Sequence, residues 1–320
     1  MKIEDIKYEF EDRFVDDKNF DLQQWRKENP IDYYKIIYGI LSSLEDHSLT
    51  TINGGSNEIF KNLYKICRLY VPNFLYKYSS FTDDIELNKK KLSTLREGKI
   101  YMSDIKDFND PFDGMAFFYN HKELGKIEEL NSIDGKIIDN FRDFYKGAAF
   151  TTNDVNSMPM WAHYANNHNG FCVVYDMTDK RNDLLSTFTF PIQYTDERLD
   201  ITSYMKKYVE KIIFEIRKGG KNVEECLRND LSLIFISIFL SNIKHSSWSY
   251  ENEFRCSKTD ASDYLEAFPN EICVGLNCTI ENQEKLVEIA KELNIPIYKM
   301  RFEEFSEYFI LKKELLFGKK

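Results

Sequence analysis

Apolar side chains divide the chain into a helical beginning and a longer stretch where short strands alternate with helices. Over residues 21–44, Leu22, Trp25, Tyr33, Ile36, Ile37, Ile40 and Leu41 recur at near-helical spacing, interrupted by Pro30. Residues 51–57 read as a turn in which Ser56 caps a helix running through Leu69, and Pro72 ends it. From Phe74 the texture changes. Residues 74–78 are strand-like, residues 83–96 put Leu87, Leu92 and Leu95 on one helical face, and Gly98 is a natural stop before a strand at 99–103. Further strands are expected at 147–152, 171–175, 188–194, 248–256, 272–276, 295–300 and 308–311. Helices are expected at 158–165, with Pro159 in the first turn, and at 222–242 and 281–293. This order predicts an α+β fold: a mixed or split β-sheet core flanked by helices over 73–320, with a helical N-terminal segment at 1–72.

Composition narrows the picture. With 42% hydrophobic and 30% charged residues in 320, an ordinary packed core is expected, and 13 Gly and 7 Pro leave no room for long linkers. Lys and Arg number 43 against 53 Asp and Glu, and the net charge of −10 disfavours general electrostatic binding of nucleic acid. A basic stretch at Lys206, Lys207, Lys211, Arg217, Lys218 and Lys221 also holds Glu210 and Glu215, so it reads as a solvated helix face. No apolar segment follows Met1-Lys2-Ile3-Glu4-Asp5, and the apolar run at 231–240 falls short of the ~20 residues that cross a bilayer. A cytoplasmic chain without a membrane segment is expected. The six cysteines (67, 172, 226, 256, 273, 278) form no CxxC pair and are expected as buried free thiols.

Familiar catalytic signatures are absent. His163, His168 and Cys172 lack the i,i+4 spacing of a helical metal pair, so no metal is expected. There is no GxSxG elbow, no GxxxxGK[ST] loop and no GxGxxG loop. What remains is polar groups set among aromatic ones. Tyr76 and Tyr78 point one way from their strand and Lys77 the other. Asn109, Asp110 and Asp113 crowd a turn around Pro111, which an Asx-turn alone would also explain. Trp161 and Tyr164 share a helix face at i,i+3, with His163 pointing elsewhere; a core stripe accounts for Trp161 equally well. The densest cluster runs from Lys244 through Trp248 to Arg255. If it is extended, Glu251, Glu253 and Arg255 share one face. One carboxylate would then be held ionised by Arg255 or Lys244 and the other left to act on a ligand. Glu253 is favoured for that role because it lies farther into the strand, while a purely structural Glu253–Arg255 pair on an edge strand is the competing reading.

At these residues the chain resembles a bacterial family known as domain of unknown function 2971. The likeness rests on Tyr76-Lys77-Tyr78, residues 98–103 including Tyr101 and Ser103, residues 108–113, residues 160–164 with Gly170, and residues 244–255, and extends roughly over 74–312. In architecture the chain is also similar to the ADP-ribosyltransferase fold. That likeness implies a split sheet holding NAD, with Tyr76 or Tyr78 near the ribose, Tyr101 covering the nicotinamide, and Glu251 or Glu253 stabilising the ribosyl cation or orienting the acceptor. No Arg or His stands on the first strand and no Ser-Thr-Ser follows, which departs from that pattern. The function so implied is a nucleotide-binding enzyme carrying out NAD-dependent ADP-ribosyl transfer or NAD glycohydrolysis in a bacterial stress or phage-defence role. NAD enters as substrate, and no resident cofactor is assigned. The alternative is a non-catalytic module that binds a nucleotide or a nucleic-acid end, with a protein partner engaged through residues 1–72.

Overall fold

A computed structural model describes residues 21–45, 65–136, 145–218, 236, 238–258 and 262–319. The turn expected at 51–57, most of the helix expected at 222–242, Cys226 and Lys221 lie outside the described residues. The strands are β1 (Phe74–Ser80), β2 (Lys99–Tyr101), β3 (Ser103–Asp104), β4 (Phe117–Phe118) and β5 (Lys146–Thr151). They continue as β6 (Gly170–Asp176), β7 (Thr189–Pro191), β8 (Gln193–Thr195), β9 (Leu199–Asp200) and β10 (Ile243–His245). The last are β11 (Glu253–Lys258), β12 (Tyr264–Glu266), β13 (Glu271–Val274), β14 (Ile297–Phe302) and β15 (Leu311–Phe317).

Eight strands form one path in the order β15-β14-β13-β6-β1-β5-β11-β7, and β3 joins it by pairing with β5. The sheet is mixed, because β13 and β14 run parallel while their neighbours are antiparallel. With the helices packed around it, this is an α+β fold. β1 and β6 pair along their whole length, from Phe74 opposite Asp176 to Ser80 opposite Gly170. On its other side β1 meets β5 at a single register pair, Tyr76 opposite Thr151. β5 is instead paired along its length with β11, and at its far end with β3. The sheet is therefore barely joined between β1 and β5, and a cavity opens there.

One face of the sheet is covered by helices Ile85–Arg96 and Ile280–Leu293, through Leu92, Leu95, Leu286 and Ile289. The other face packs on the short helix Met158–Tyr164 through Met160 and Trp161. Of the N-terminal helices, Leu22–Glu28 buries no residue and is tied down by Arg26, which donates to the carbonyls of Leu69 (2.6 Å) and Val71 (3.0 Å), whereas Tyr33–Glu45 buries Tyr33 and Ile37. Tyr33 is buried, stacks 5.1 Å from Phe239, and donates its hydroxyl to the Pro191 carbonyl at 2.7 Å.

Four segments differ from the strands read in the sequence. The strand expected at 308–311 begins only at Leu311 and runs to Phe317 as β15, and the one expected at 99–103 is split at Met102 into β2 and β3. Residues 188–194 divide into the end of helix Asp183–Phe188, β7 and β8. Pro191 cannot donate to a ladder, so β7 stays short at the sheet edge and β8 leaves to pair with β10. Residues Ser246–Glu251 wind as a 3₁₀ helix, and the strand begins only at Glu253. Asn252 between them is left-handed (φ 45°, ψ 49°), a conformation asparagine tolerates. Its side chain donates to Asn153 Oδ1 at 2.8 Å, and Asn153 donates in turn to the carbonyls of Tyr250 (2.7 Å) and Glu251 (3.1 Å).

The β1–β6 register depends on Gly170, where a Cβ would stand 2.2 Å from the Ser79 carbonyl oxygen. Gly170→Ala should therefore destabilise the protein by about 1–3 kcal/mol through backbone overpacking. A lowered urea midpoint with an unchanged slope checks this; a wild-type midpoint would show that the strands separate freely there.

Candidate active site

The cavity at the join of β1 and β5 has a volume of 240 Å³. Tyr76, Lys77 and Tyr78 of β1 line it, as do Tyr101 and Ser103 from the following strands. Asn109 and Asp113 of the turn, Tyr164 of the short helix, and Lys244, Glu251 and Glu253 complete the sequence-selected part of the wall. Segments far apart in the chain are thus brought to one place.

The charged part is a closed network. Lys244 Nζ lies 2.6 Å from Glu251 Oε2 and 2.9 Å from Glu253 Oε2, joining the two carboxylates. Arg255 is fully buried and donates to Glu253 Oε1 from Nε (3.0 Å) and Nη2 (2.9 Å). Its Nη1 donates to the Ser241 carbonyl at 2.7 Å and lies 2.9 Å from Asp113 Oδ1. Phe108 covers the guanidinium, its ring centre 4.7 Å from Cζ. Glu251 Oε1 accepts from the Tyr164 hydroxyl. Thr151 holds the turn from below by donating its hydroxyl to the Glu251 carbonyl.

Glu251 and Glu253 are 3% and 4% exposed, yet they are displaced in opposite directions. Burial pushes the Glu251 carboxyl above the usual range, and its hydrogen bonds to Lys244 and Tyr164 only partly oppose this. Burial acts on Glu253 in the same sense, but Arg255 and Lys244 outweigh it and hold that carboxyl below the usual range. Asp113 is raised by burial, which Arg255 offsets only in part. Burial would lower the Lys244 ammonium, but Glu253 and Glu251 prevail and raise it. Three carboxyls face two cations, so the cluster has one acid in excess, and Glu251 and Asp113 are where a proton is held most readily. On the opposite wall, burial pushes the Lys77 ammonium down to about 8.

The remaining sequence candidates sit elsewhere. Trp161 is buried in the core, where Nε1 donates to the Val155 carbonyl at 2.9 Å and the indole stacks on His168. His163 is exposed and lies beside the Tyr250 ring, 6.1 Å between centres, outside the cavity lining. Asp110 is buried as an Asx-turn: Oδ1 accepts from the Phe112 amide at 2.9 Å. Trp248 covers Lys244 from behind, its ring centre 4.7 Å from Nζ. Arg255 acts through Glu253 and Asp113 rather than lining the cavity. Sequence reading passed over Thr151, Phe108 and Tyr194, whose hydroxyl accepts from the Glu253 amide at 2.8 Å. Only the aromatic character of the last two gave any signal. The five described cysteines are free and buried, and among the described residues no group of three His, Cys, Asp or Glu could hold a metal ion. No helix of the described residues is long and apolar enough to cross a membrane.

Residues 160–256 match the sequence model of the family described as "Protein of unknown function (DUF2971)". That span contains the short helix from Met160 to Tyr164, β6, and the whole segment from Lys244 to Arg255. The 76–78, 98–103 and 108–113 segments lie outside it. No curated protein and no solved structure matches the chain.

The opposite displacements give different pH signatures. Glu253, lowered on folding, contributes stability that is present above the ordinary carboxylate range and lost as pH falls through its folded value. Glu251, raised on folding, contributes most at low pH and loses that contribution as pH rises through its folded value. At pH 7, Glu253→Gln should therefore melt well below Glu251→Gln, with the gap narrowing as pH is lowered. Melting curves over a pH series check this, and a constant gap would contradict it. Arg255→Met strands Glu253 and Asp113 and should cost about 3–5 kcal/mol at neutral pH, read from the denaturant midpoint.

Proposed function

We propose that the chain is a nucleotide-binding enzyme that cleaves the glycosidic bond of NAD and passes the ribosyl group to water or an acceptor hydroxyl. The observation that carries this reading is the Glu251–Glu253 pair: two carboxyls in one cavity, joined by Lys244, with opposite proton affinities. Environments that drive two acids apart in this way suit them to different roles.

In the reaction proposed, the bond between ribose C1′ and the nicotinamide nitrogen breaks. The electron pair leaves with the nicotinamide and cancels its positive charge, so no acid is needed for the leaving group. Positive charge then develops on the ribosyl ring. Glu253, kept ionised by Arg255 and Lys244, is the fixed anion that opposes it. As the new C1′–O bond forms, Glu251, in its ionised form with the excess proton on Asp113, accepts the proton of the attacking water or hydroxyl. A carboxyl raised above its usual range is a better base for that transfer than an ordinary one. Tyr164 fixes its orientation, and Tyr76 and Tyr101 give the nicotinamide an aromatic wall that excludes water. The weak join between β1 and β5 supports the likeness to the split sheet of ADP-ribosyltransferases.

One observation favours binding without turnover. Lys244 occupies a lone pair on each carboxylate, which chemistry would have to share. Nicotinamide release separates the two readings. Under the enzymatic one, the wild type releases nicotinamide from NAD, and Glu251→Gln slows release about 10²–10⁴-fold without lowering the melting temperature appreciably. Wild-type protein that binds NAD and leaves it intact would establish the binding module instead.

A further inference from the structure

We infer that the cavity next to the carboxylate pair is a diphosphate subsite, so that the ligand is a nucleoside diphosphate derivative lying across both cavities. This rests on the reading of the first cavity given above and specifies the part of the ligand that reading leaves open.

The second cavity measures 480 Å³ and lies between helix Ile85–Arg96 and the sheet face formed by β1 and β6. Lys77, Tyr78, Tyr101, Ser103 and Tyr164 line both cavities, so the two share a wall. Their charges are opposite. Asp107, Asp113, Glu251 and Glu253 line the first, whereas no Asp or Glu lines the second, in a chain with 53 acidic residues against 43 basic ones. Four lysines line it instead: Lys77, Lys90, Lys91 and Lys99. Lys99 is engaged by Glu97 at 2.9 Å.

Among the described residues, the other three form no ion pair. Lys91 Nζ donates to the Ser80 carbonyl at 2.7 Å and lies 3.3 Å from the Ser80 hydroxyl. Lys77 Nζ donates to the Ala149 carbonyl at 3.1 Å. Lys90 Nζ stands 4.2 Å over the Tyr101 ring. The direct contacts of each ammonium are thus to neutral groups, and carboxylates act on them only without an ion pair: Glu253 on Lys77, Asp84 on Lys91 and Asp263 on Lys90. Burial disfavours the charged form of both Lys77 and Lys91. An anion placed among them would supply a direct counter-charge, which no carboxylate lining this cavity provides.

The division of charge also orients the ligand. Phosphate oxygens are repelled by the four carboxyl residues of the first cavity and attracted by the lysines of the second. An uncharged ribosyl group then falls beside Glu251 and Glu253, with Lys77 at the boundary. Three cations spread along the cavity suit two linked phosphates better than one. Tyr101 of the wall and the exposed Tyr264 beside it, 5.6 Å between ring centres, offer aromatic surface for a base.

Titration calorimetry of the full chain with ADP, inorganic pyrophosphate and adenosine tests this. Wild type should bind ADP and pyrophosphate with salt-sensitive affinity and adenosine more weakly. The double variant Lys90→Gln/Lys91→Gln should lose about tenfold or more in affinity for both anions, with adenosine affinity unchanged. If the Gln pair lowers the melting temperature, Lys90→Arg/Lys91→Arg keeps both charges and should restore anion binding. Failure of wild type to bind ADP, or equal ADP affinity in wild type and the Gln variant, overturns the subsite. Glu251→Gln keeps the two ideas apart. If nicotinamide release survives Glu251→Gln while ADP affinity still depends on the lysines, the chemistry fails and the subsite stands. If release depends on Glu251 but neither ADP affinity nor the KM for NAD depends on the lysines, the subsite alone fails.

Discussion

Arg255 is fully buried in the interior strand β11, and a guanidinium in that position has to be met by carboxylates and carbonyls or the fold does not close. Its demands are answered by four residues from three parts of the chain. Glu253 comes from the same strand, Asp113 from the turn after β3, Ser241 from the residues before β10, and Phe108 covers the flat face. Each carboxylate drawn in creates a further demand, which Lys244 meets for Glu253 and Glu251 together. Ion pairs of this kind add little net stability compared with apolar packing, because desolvation consumes most of the attraction. They cost a great deal when broken. The geometry of the cavity is therefore set by the requirement that no member of the cluster be left alone.

A consequence of the weak join between β1 and β5 is that charge is segregated across it. With a single pair formed, the Lys77 ammonium reaches across to a β5 carbonyl and faces both cavities. The acids cluster on the β11 side of this opening and the unpaired lysines on the helix side. In a protein with net charge −10 such a division is not the default arrangement of surface charge. It gives an elongated ligand with one anionic end a single favourable direction.

Period-2 and period-3.6 patterns made the sheet strands and their covering helices legible, since those residues face one buried side and their side chains say so. β1, β6, β14 and helices Ile85–Arg96 and Ile280–Leu293 fall close to their expected limits. Clustering of polar groups among aromatics also singled out segments that meet at the cavity, because such groups have no reason to gather in an ordinary core. Conformation at single residues was not legible. Asn252 turns left-handed, so Glu251 and Glu253 reach Lys244 from a 3₁₀ helix and a strand rather than from one extended face. Alternation could show two acids close together but not that Glu253 would take both cations. Lys90 and Lys91 carried no signal in the sequence, because lysines on a helix are ordinarily its solvent face, and only the lack of carboxylates lining their cavity distinguishes them.

Trp161 shows why a core reading and a site reading need not compete. It is buried, stacked on His168, set edge-on to Tyr78 at 5.0 Å, and tied to the Val155 carbonyl. Those contacts leave helix Met158–Tyr164 little freedom to shift or rotate. Tyr164, three residues on and on the same face, is carried by that helix to Glu251. A phenol on a mobile loop would bond a carboxylate only part of the time and would shift its proton affinity accordingly. Held by a packed indole, it gives Glu251 a fixed partner on the side away from Lys244. The proton affinity of Glu251 is thereby determined as much by core packing as by the charges beside it.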